Sequence, residues 1–437
     1  MNANDHKLVD LANKDCCNNT LSADDLRKIC LEEGADDAGF VDIGRPALEP
    51  ERDAMLRIFP GAATAVSLLV RANRESVTSP STSVADWEFA KTIERLADAA
   101  FRIIRRLNSK GIRGIAVPPA FPMDTTRWPG KLWEVSHKIV ASEAGLGMMG
   151  VHRVIIHPKF GNHVILDTIL INVPLDRYDQ PLPESPCFRC GLCISVCPVG
   201  AIRMDEGLDF MSCAMHNYHE LFGGFQEWIE KIVSSGSVRS YRAQFRDYET
   251  IAKWESLTYG HSYRCSYCMA VCPAGEETVE AYRRDKKAYV QAIVRPLREK
   301  REPVYVIKGT RAEKTARSNT AKTVRYVKNT IRPASIGSFL DGVTLLFNPE
   351  KAEGVKLNLQ FTFTGGTERE ATINIANRKI IVSEGHQGIA DLRIRADAEA
   401  WVRMLNEEIS PVRVMITGSI KFKGNPKHLK TFKSCLV

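Results

Sequence analysis

Long hydrophobic runs are missing from this chain of 437 residues. The longest, AATAVSLLV at 62–70, is too short to cross a bilayer. The opening stretch, MNANDHKLVDLANKDCC, has no apolar core of the kind a secretory leader carries. The expectation is therefore a cytoplasmic protein with no membrane span. Low-complexity segments and internal repeats are absent too, apart from the cysteine motifs. Charge imbalance is small, with a net charge of +8, and much of the excess lies between Arg283 and Arg332. Aromatic residues are sparse in that basic stretch (Tyr289, Tyr305 and Tyr326), so platforms for stacking bases are few and specific nucleic-acid binding is not expected. What remains is ordinary for a globular protein, with 44% hydrophobic and 26% charged residues. The length calls for two or three domains.

Cysteine is the residue in surplus. There are twelve, and eight of them lie between Cys187 and Cys272. In a chain of this kind such a cluster points to metal or redox chemistry and not to disulfides. Cys187, Cys190, Cys193 and Cys197 form C-x2-C-x2-C-x3-C followed by Pro198; Cys265, Cys268 and Cys272 form C-x2-C-x3-C followed by Pro273. Cys213 stands alone between them. Three thiolates within seven residues wrap one corner of a cubane, and the cysteine before proline turns to the neighbouring cluster. This assigns one 4Fe–4S cluster to Cys187, Cys190, Cys193 and Cys272, and a second to Cys197, Cys213, Cys265 and Cys268. Two zinc sites would need only C-x2-C pairs and would leave the x2-x3-Pro pattern without a reason. Cys16, Cys17, Cys30 and Cys435 have no ligand spacing and are read as incidental.

Hydrophobic periodicity divides the rest. Residues 1–21 read as a flexible start, and Ser22 with Asp25 opens a helix that Gly34 closes. Helices and strands then alternate to 182. The strands are AGFVDIG, AATAVSLLV, GIAVPP, RVIIHP and HVILDTILINV; the helices run over about 84–109 and 133–143. This indicates an α/β domain, 22–182. The cysteine module follows at 183–280, then a basic linker at 281–335. From 336 to 437 alternating strands (Leu357, Leu359, Phe361, Phe363; Ile373, Ile375), a helix opened by Asp397 and a last strand VRVMITGSIKFKG predict an α+β domain.

Residues 22–280 resemble the epoxyqueuosine reductase and reductive dehalogenase superfamily. The resemblance rests on AGLGMMG (Ala144–Gly150), HRVIIHPKFGNHVILDTIL (His152–Leu170), VPLDRYDQPL and the cysteine order with Cys213. It implies a nitroreductase-like α/β domain holding cobalamin, with a ferredoxin-like double 4Fe–4S module delivering electrons to cobalt from a donor such as ferredoxin or flavodoxin. Three departures stand out. Lys131 occupies the place of the family's proton-donating Asp, Gly150-Val151-His152 replaces the usual GK-[NH], and the interval from Cys213 to Cys265 is long and aromatic. That interval reads either as a lid or as an extra helical pair. Residues 336–437 resemble the sterol carrier protein-2 family through FLDGVTLLFNPEKAEG, LQFTFTG and GSIKFKGN. That likeness implies a lipid tunnel or an assembly surface, and a homodimer is one assembly it could serve.

With the family Asp missing, the nearest groups able to supply a proton are Asp124, Lys131, His137 and His152. Gly145, Gly147, Gly150 and Gly161 are candidates for close approach of backbone to a flat macrocycle. The resulting expectation is a cobalamin-dependent reductase fed by two 4Fe–4S clusters and acting on a small, hydrophobic, lipid-like molecule. The alternatives are an iron–sulfur electron-transfer adaptor without corrinoid, and a transfer-RNA epoxyqueuosine reductase.

Overall fold

The structure, a computed structural model, describes residues 20–124, 132–204, 207–220, 223–259, 263–328 and 332–436. Lys131, Cys16, Cys17 and nearly all of the expected flexible start lie outside the described residues. Helix α1 (Ala23–Glu32) begins where the sequence placed it, with the Ser22 side chain accepting from the Asp25 N–H. Strands β1 (Asp37–Asp42) and β2 (Thr64–Arg71) follow, then the long helix α2 (Thr82–Asn108) and strand β3 (Gly114–Val117). Helix α3 (His137–Glu143) and strand β4 (Val164–Ile171) complete this part.

Content is mixed α and β as expected, but the sheet is antiparallel throughout, in the order β1-β2-β4-β3. Its register pairs Phe40 with Val66 and Val66 with Ile169. Those three residues face α1 and α2, which bury Leu26, Leu96, Ile103 and Leu107 against them. Alternate residues Val41, Ala65 and Leu170 point to the other face, where Val140 of α3 and Met55 cover them. Helix α3 is shorter than its apolar pattern predicts. The Ser136 N–H is taken by the Glu51 carboxylate at 2.9 Å, so 133–136 runs as a bent loop before the helix starts.

Helix α4 (Phe210–Asn217) carries Cys213 and is capped by Asp209, which accepts from the Ser212 N–H. The long interval after it forms α5 (Gly223–Ser234), a short helix Val238–Gln244 and α6 (Asp247–Tyr259). Its rings pack on each other: Phe225 on Trp228, Tyr241 on Phe245, Trp254 on Tyr259. A buried Glu220 holds both Lys253 of α6 and Arg264, fastening this bundle to the second cysteine run. Buried ion pairs fix register more reliably than they add stability.

The stretch expected as a linker is folded. Helix α7 (Glu276–Arg284) leads through Lys286–Tyr289 and Arg295–Glu299 to β5 (Glu302–Val306); α8 (Arg311–Ser318) then crosses to β6 (Lys322–Tyr326), parallel to β5. Four small apolar residues, Val304, Val306, Ala312 and Ala316, pack on Val199 and Ala201 of the cysteine module. Charge concealed this from the sequence, because the basic residues occupy the outward positions. Buried Lys322 is the exception: its ammonium is held by Glu302 at 2.6 Å and by the carbonyls of Leu297 and Lys300.

A capping box of Ser335 and Ser338 opens α9 (Ile336–Leu345). Strands β7 (Leu357–Thr364), β8 (Arg369–Ala376), β9 (Lys379–Glu384), β10 (Leu392–Asp397) and β11 (Ile420–Gly424) form one sheet in the order β9-β8-β7-β10-β11, with β7 and β10 parallel. Helix α10 (Ala398–Leu405) is capped by Asp397. Residues Pro411–Ile416, expected in a strand, are helical because Ser410 caps them and Pro411 occupies the first turn. Phe339, Phe361, Phe363 and Trp401 meet with ring centroids 5.5–6.4 Å apart. The face expected to line a lipid tunnel is thus packed on itself.

Among the described residues no helix is long and apolar enough to cross a membrane.

Candidate functional site

The first cysteine run lies on a loop that needs left-handed backbone at Arg189 (φ 51°) and Gly191 (φ 79°), followed by the short helix Leu192–Val196. Cys197 ends that helix, and its sulfur accepts from the Ala201 N–H at 3.3 Å. Cys265 is placed by α4, since Asn217 accepts from the N–H groups of both Arg264 and Cys265. Cys268 sits in the helix Tyr267–Ala270.

The thiols fall into two electrostatic groups. Cys272 is influenced by Cys190, Cys193 and Cys187; Cys193 by Cys190 and Cys187. Cys213 is influenced by Cys197, and Cys265 by Cys268, Cys197 and Cys213. Cys268 is influenced by members of both groups, so the two adjoin. Burial first, and then mutual repulsion, pushes Cys193, Cys213 and Cys272 up to about 12 and raises Cys265 and Cys268 as well. Iron binding removes that penalty, because a coordinated thiol gives up its proton. Among the described residues no three His, Cys, Asp or Glu side chains converge closely enough to hold a single metal ion. Ligands that each meet a different iron of a cubane need no such convergence. The donor set and its grouping fit two iron–sulfur clusters.

A cavity of about 540 Å³ opens between the antiparallel sheet and this module. Cys197, Cys213, Cys265 and Cys268 stand in its wall; Cys187, Cys190, Cys193 and Cys272 do not. Apolar side chains make most of the lining, among them Phe89, Ile93, Phe121, Met123 and Trp133. This volume lies within the usual range for small-molecule and cofactor sites.

The sequence candidates divide sharply here. His137 and His152 line the cavity. Asp124 does not, although its neighbour Met123 does; the Asp124 N–H donates to the Leu132 carbonyl at 3.1 Å. Lys131 falls outside the described residues. His137 is buried, and burial pushes its imidazole down to about 4. Its Nε2 donates to the Pro118 carbonyl at 2.9 Å and its Nδ1 accepts from Thr168 Oγ1 at 2.8 Å, so the ring is neutral and committed at both ends. His152 is likewise pushed down to about 4 by burial. Its Nδ1 accepts from the Val154 N–H, and Nε2 lies 3.1 Å from the Asn162 amide.

None of the four candidate glycines lines the cavity. A Cβ at Gly145 would meet the Gln180 carbonyl, at Gly147 the Ile156 carbonyl, at Gly150 the Ile156 and His152 side chains, and at Gly161 the Ala274 carbonyl. Internal packing by itself leaves no room for a Cβ at any of the four. Of the long interval from Cys213 to Cys265, His216, Asn217, Tyr218 and Tyr263 line the cavity, whereas no residue of the helical stretch 223–259 does.

Sequence reasoning missed Glu51, Lys138 and Tyr263, and placed His216 and Tyr218 only within the long aromatic interval. They come from distant segments and meet only in the fold, where all five line the cavity. The Lys138 ammonium donates to the Arg153 carbonyl at 2.9 Å. It belongs to an exposed side chain on the cavity wall; desolvation by the surrounding atoms lowers its pKa, while Cys268 and Cys213 favour its charge. His216 accepts from the Tyr305 N–H at 3.5 Å through Nδ1, and its buried Nε2 has no partner among the described residues. An orphaned donor on the wall of a cavity suits a bound polar group.

Comparison with known proteins agrees in part. The 4Fe–4S binding domain family matches residues 183–203, and the alkyl sulfatase C-terminal family matches 327–437. Epoxyqueuosine reductase of Bacillus anthracis is 40% identical over 80 residues, 18% of this chain and 20% of the relative. That of Synechococcus sp. (strain CC9605) is 29% identical over 194 residues, 43% of this chain and 55% of the relative, and that of Escherichia coli (strain K12) is 32% identical over 96 residues, 22% and 25%. The chain thus spans between a fifth and about half the length of these curated relatives. Two solved structures show partial likenesses. An epoxyqueuosine reductase with an epoxyqueuosine-modified tRNA-Tyr stem loop is 20% identical, has a TM-score of 0.31 and covers 42% of this chain and 54% of its own. A catabolic reductive dehalogenase is 17% identical, has a TM-score of 0.35 and covers 44% and 28%. The superfamily likeness read from the sequence is borne out, as is a 4Fe–4S binding domain over residues 183–203. The C-terminal part matches an alkyl sulfatase family where a sterol carrier protein was expected.

Proposed function

We propose that this protein is a reductase in which two 4Fe–4S clusters feed a corrinoid held in the 540 Å³ cavity. One observation carries the reading: the four cysteines assigned to a single cluster stand together in the cavity wall, and the other four stand behind them. A corrinoid bound there would supply a cobalt centre that accepts single electrons and passes them to an organic substrate. The chain's own residues do the rest. Phe89, Ile93, Phe121 and Met123 exclude water, which strengthens every charge interaction inside. The Lys138 ammonium offsets the negative charge of the thiolate-bound cluster beside it. The Nε2–H of His216 is the donor still free to meet an acceptor in the cavity. His137 and His152, both neutral, hold the wall through the hydrogen bonds described above.

For the substrate, the names of the curated relatives favour epoxyqueuosine in transfer RNA over a small hydrophobic molecule. The apolar lining keeps the small molecule in view as a second reading. The first test is anaerobic addition of Co(II) cobalamin, followed by gel filtration and electron paramagnetic resonance. Retained corrinoid with a changed cobalt signal supports the proposal. A chain that keeps its clusters but retains no corrinoid is an electron-transfer adaptor. Turnover of epoxyqueuosine-modified transfer RNA, set against turnover of a halogenated aromatic, then decides between the substrates.

A further inference from the structure

The cluster group remote from the cavity reaches the surface. Cys190 is exposed and Cys187 half-buried, whereas Cys193 and Cys272 are buried. Beside Cys190 lies Phe188, a large apolar ring left 44% exposed. Its ring packs against Tyr282 at 5.8 Å, and Tyr282 packs against Tyr289 at 5.3 Å. The Tyr289 hydroxyl in turn reaches the Val271 carbonyl, next to Cys272, at 3.4 Å. An aromatic wall therefore runs from the surface to the thiols.

Cations outnumber acids on the turn beside this spot, although Glu280 and Glu184 are also exposed nearby in the sequence. The Lys286 ammonium lies over the Tyr282 ring at 5.6 Å and is close enough to Cys190 to favour its thiolate. Lys286 belongs to an exposed turn that reads Arg283, Arg284, Asp285, Lys286, Lys287. Its single acid, Asp285, is spent on capping, since its carboxylate accepts from the Ala288 N–H at 2.8 Å. Four cations are left facing solvent, and Arg189 adds a fifth exposed cation between Phe188 and Cys190. A group of exposed cations on the turn after Tyr282, with Phe188 exposed against that ring, suits an acidic protein with an apolar centre to its contact surface.

We infer that the surface formed by Phe188, Arg189, Cys190, Tyr282, Arg284, Lys286 and Lys287 docks an acidic one-electron carrier protein, and that electrons come in here. The transfer is balanced by one electron: the carrier's reduced centre is oxidised by one and the thiolate-bound iron is reduced by one. No covalent bond forms or breaks, and no proton needs to move. The inference rests on the iron–sulfur part of the proposed function and is independent of the corrinoid. Electrostatic steering sets the rate of meeting, and the exposed ring sets the contact that follows.

The test uses the full chain with its clusters filled and a reduced acidic ferredoxin as the probe. Two readouts are followed: binding of the oxidised ferredoxin to the immobilised chain, and anaerobic stopped-flow bleaching of the cluster absorbance. Lys286→Glu/Lys287→Glu should lower both affinity and the second-order rate by about tenfold or more at low salt, and the gap should close as salt rises. Arg283→Glu/Arg284→Glu, a second pair on the same turn, should act in the same direction. Dithionite, a small reductant that needs no docking surface, should reduce all variants at the wild-type rate, and their iron content should be unchanged. Lys427→Glu/Lys430→Glu, exposed on the C-terminal domain, is the control and should leave both readouts alone. The inference is overturned if both pairs keep wild-type binding and rate, or if the control pair weakens them equally. Either result leaves the cobalamin experiment, and the proposal it tests, standing.

Discussion

The two ends of this protein solve opposite packing problems. The C-terminal sheet closes over Phe339, Phe361, Phe363 and Trp401, which fill their own core with one another. The antiparallel sheet of the first half and the cysteine module close over a cavity instead, and they bury ionisable groups around it: His137, His152, His216 and Glu51. A core filled by rings is what stability alone would select. A hollow lined by neutral histidines, crowded thiols and a lysine gives up stability at each of those groups. The hollow half is therefore where chemistry is to be sought, and the filled half reads as a support.

The strongest way to break this contrast is to remove a wall of the hollow. Cys213→Ala should lower iron from about eight atoms per chain to about four, because one set of four thiolates is lost and the other is complete. Iron analysis with cluster spectroscopy checks this, and a variant keeping both clusters defeats the ligand assignment. Next in size is truncation in the two cores. Trp401→Ala or Phe361→Ala should cost about 3–5 kcal/mol, since each leaves a void in dense packing. Ile93→Ala or Met123→Ala on the cavity wall should cost distinctly less, because those side chains already border empty space. Denaturant titrations compare them. In the same spirit, residues 336–437 titrated with a fluorescent fatty acid should show no saturable binding.

Acid should separate the halves as well. His137 and His152 are pushed from an ordinary 6.5 to about 4 in the folded state. Between those values the unfolded chain binds more protons than the folded one, so their stabilising effect is whole above pH 6.5 and is lost as pH falls toward 4. At pH 5 each accounts for about 2 kcal/mol. The C-terminal histidines, His386 and His428, are not buried. Amide hydrogen exchange at pH 5 should show the first half opening before the second; simultaneous opening would refute the contrast. The smallest effect is expected at Lys138. Replacing it by Gln removes a cation beside Cys213 and Cys268 and should lower the potential of the adjacent cluster by up to about 60 mV, a tenfold change in a one-electron equilibrium. A redox titration that finds one unchanged potential and one lowered supports the role given to it.

How much of this could be read from the sequence depended on distance along the chain. The cysteine ligands were legible because short runs carry their own geometry: x2, x2, x3, then proline. Strands β1, β2 and β4 were legible as short continuous apolar runs, and helix α2 because its apolar residues repeat with a helical period. The basic segment was misread as a linker because its buried apolar residues, such as Leu297, Val304, Tyr305 and Ala316, are spaced singly or in short runs among the charges. Gly145, Gly147, Gly150 and Gly161 were noticed correctly as places without room for a Cβ, but the obstacle is the chain itself. The cavity was illegible. Glu51, Lys138, His216 and Tyr263 share no local pattern, and only the folded topology brings them together.

Gly161 has a consequence for how the protein is put together in time. It sits in left-handed backbone (φ 67°) against Ala274, while Gly275 (φ 106°) rests on Gly161 in return. This mutual notch joins the loop before β4 to the loop that follows the last cysteine. It forms only where the segment after Cys272 lies against the loop before β4, so the path of the last cysteine run and the closing of the first half are coupled. Gly161→Ala, which pushes a methyl group into the Ala274 carbonyl, should thus delay the end of assembly and leave its beginning untouched. Such a variant would take up iron normally yet stay sensitive to proteolysis at the hollow half, a phenotype that separates the filling of the clusters from the closing of the protein around them.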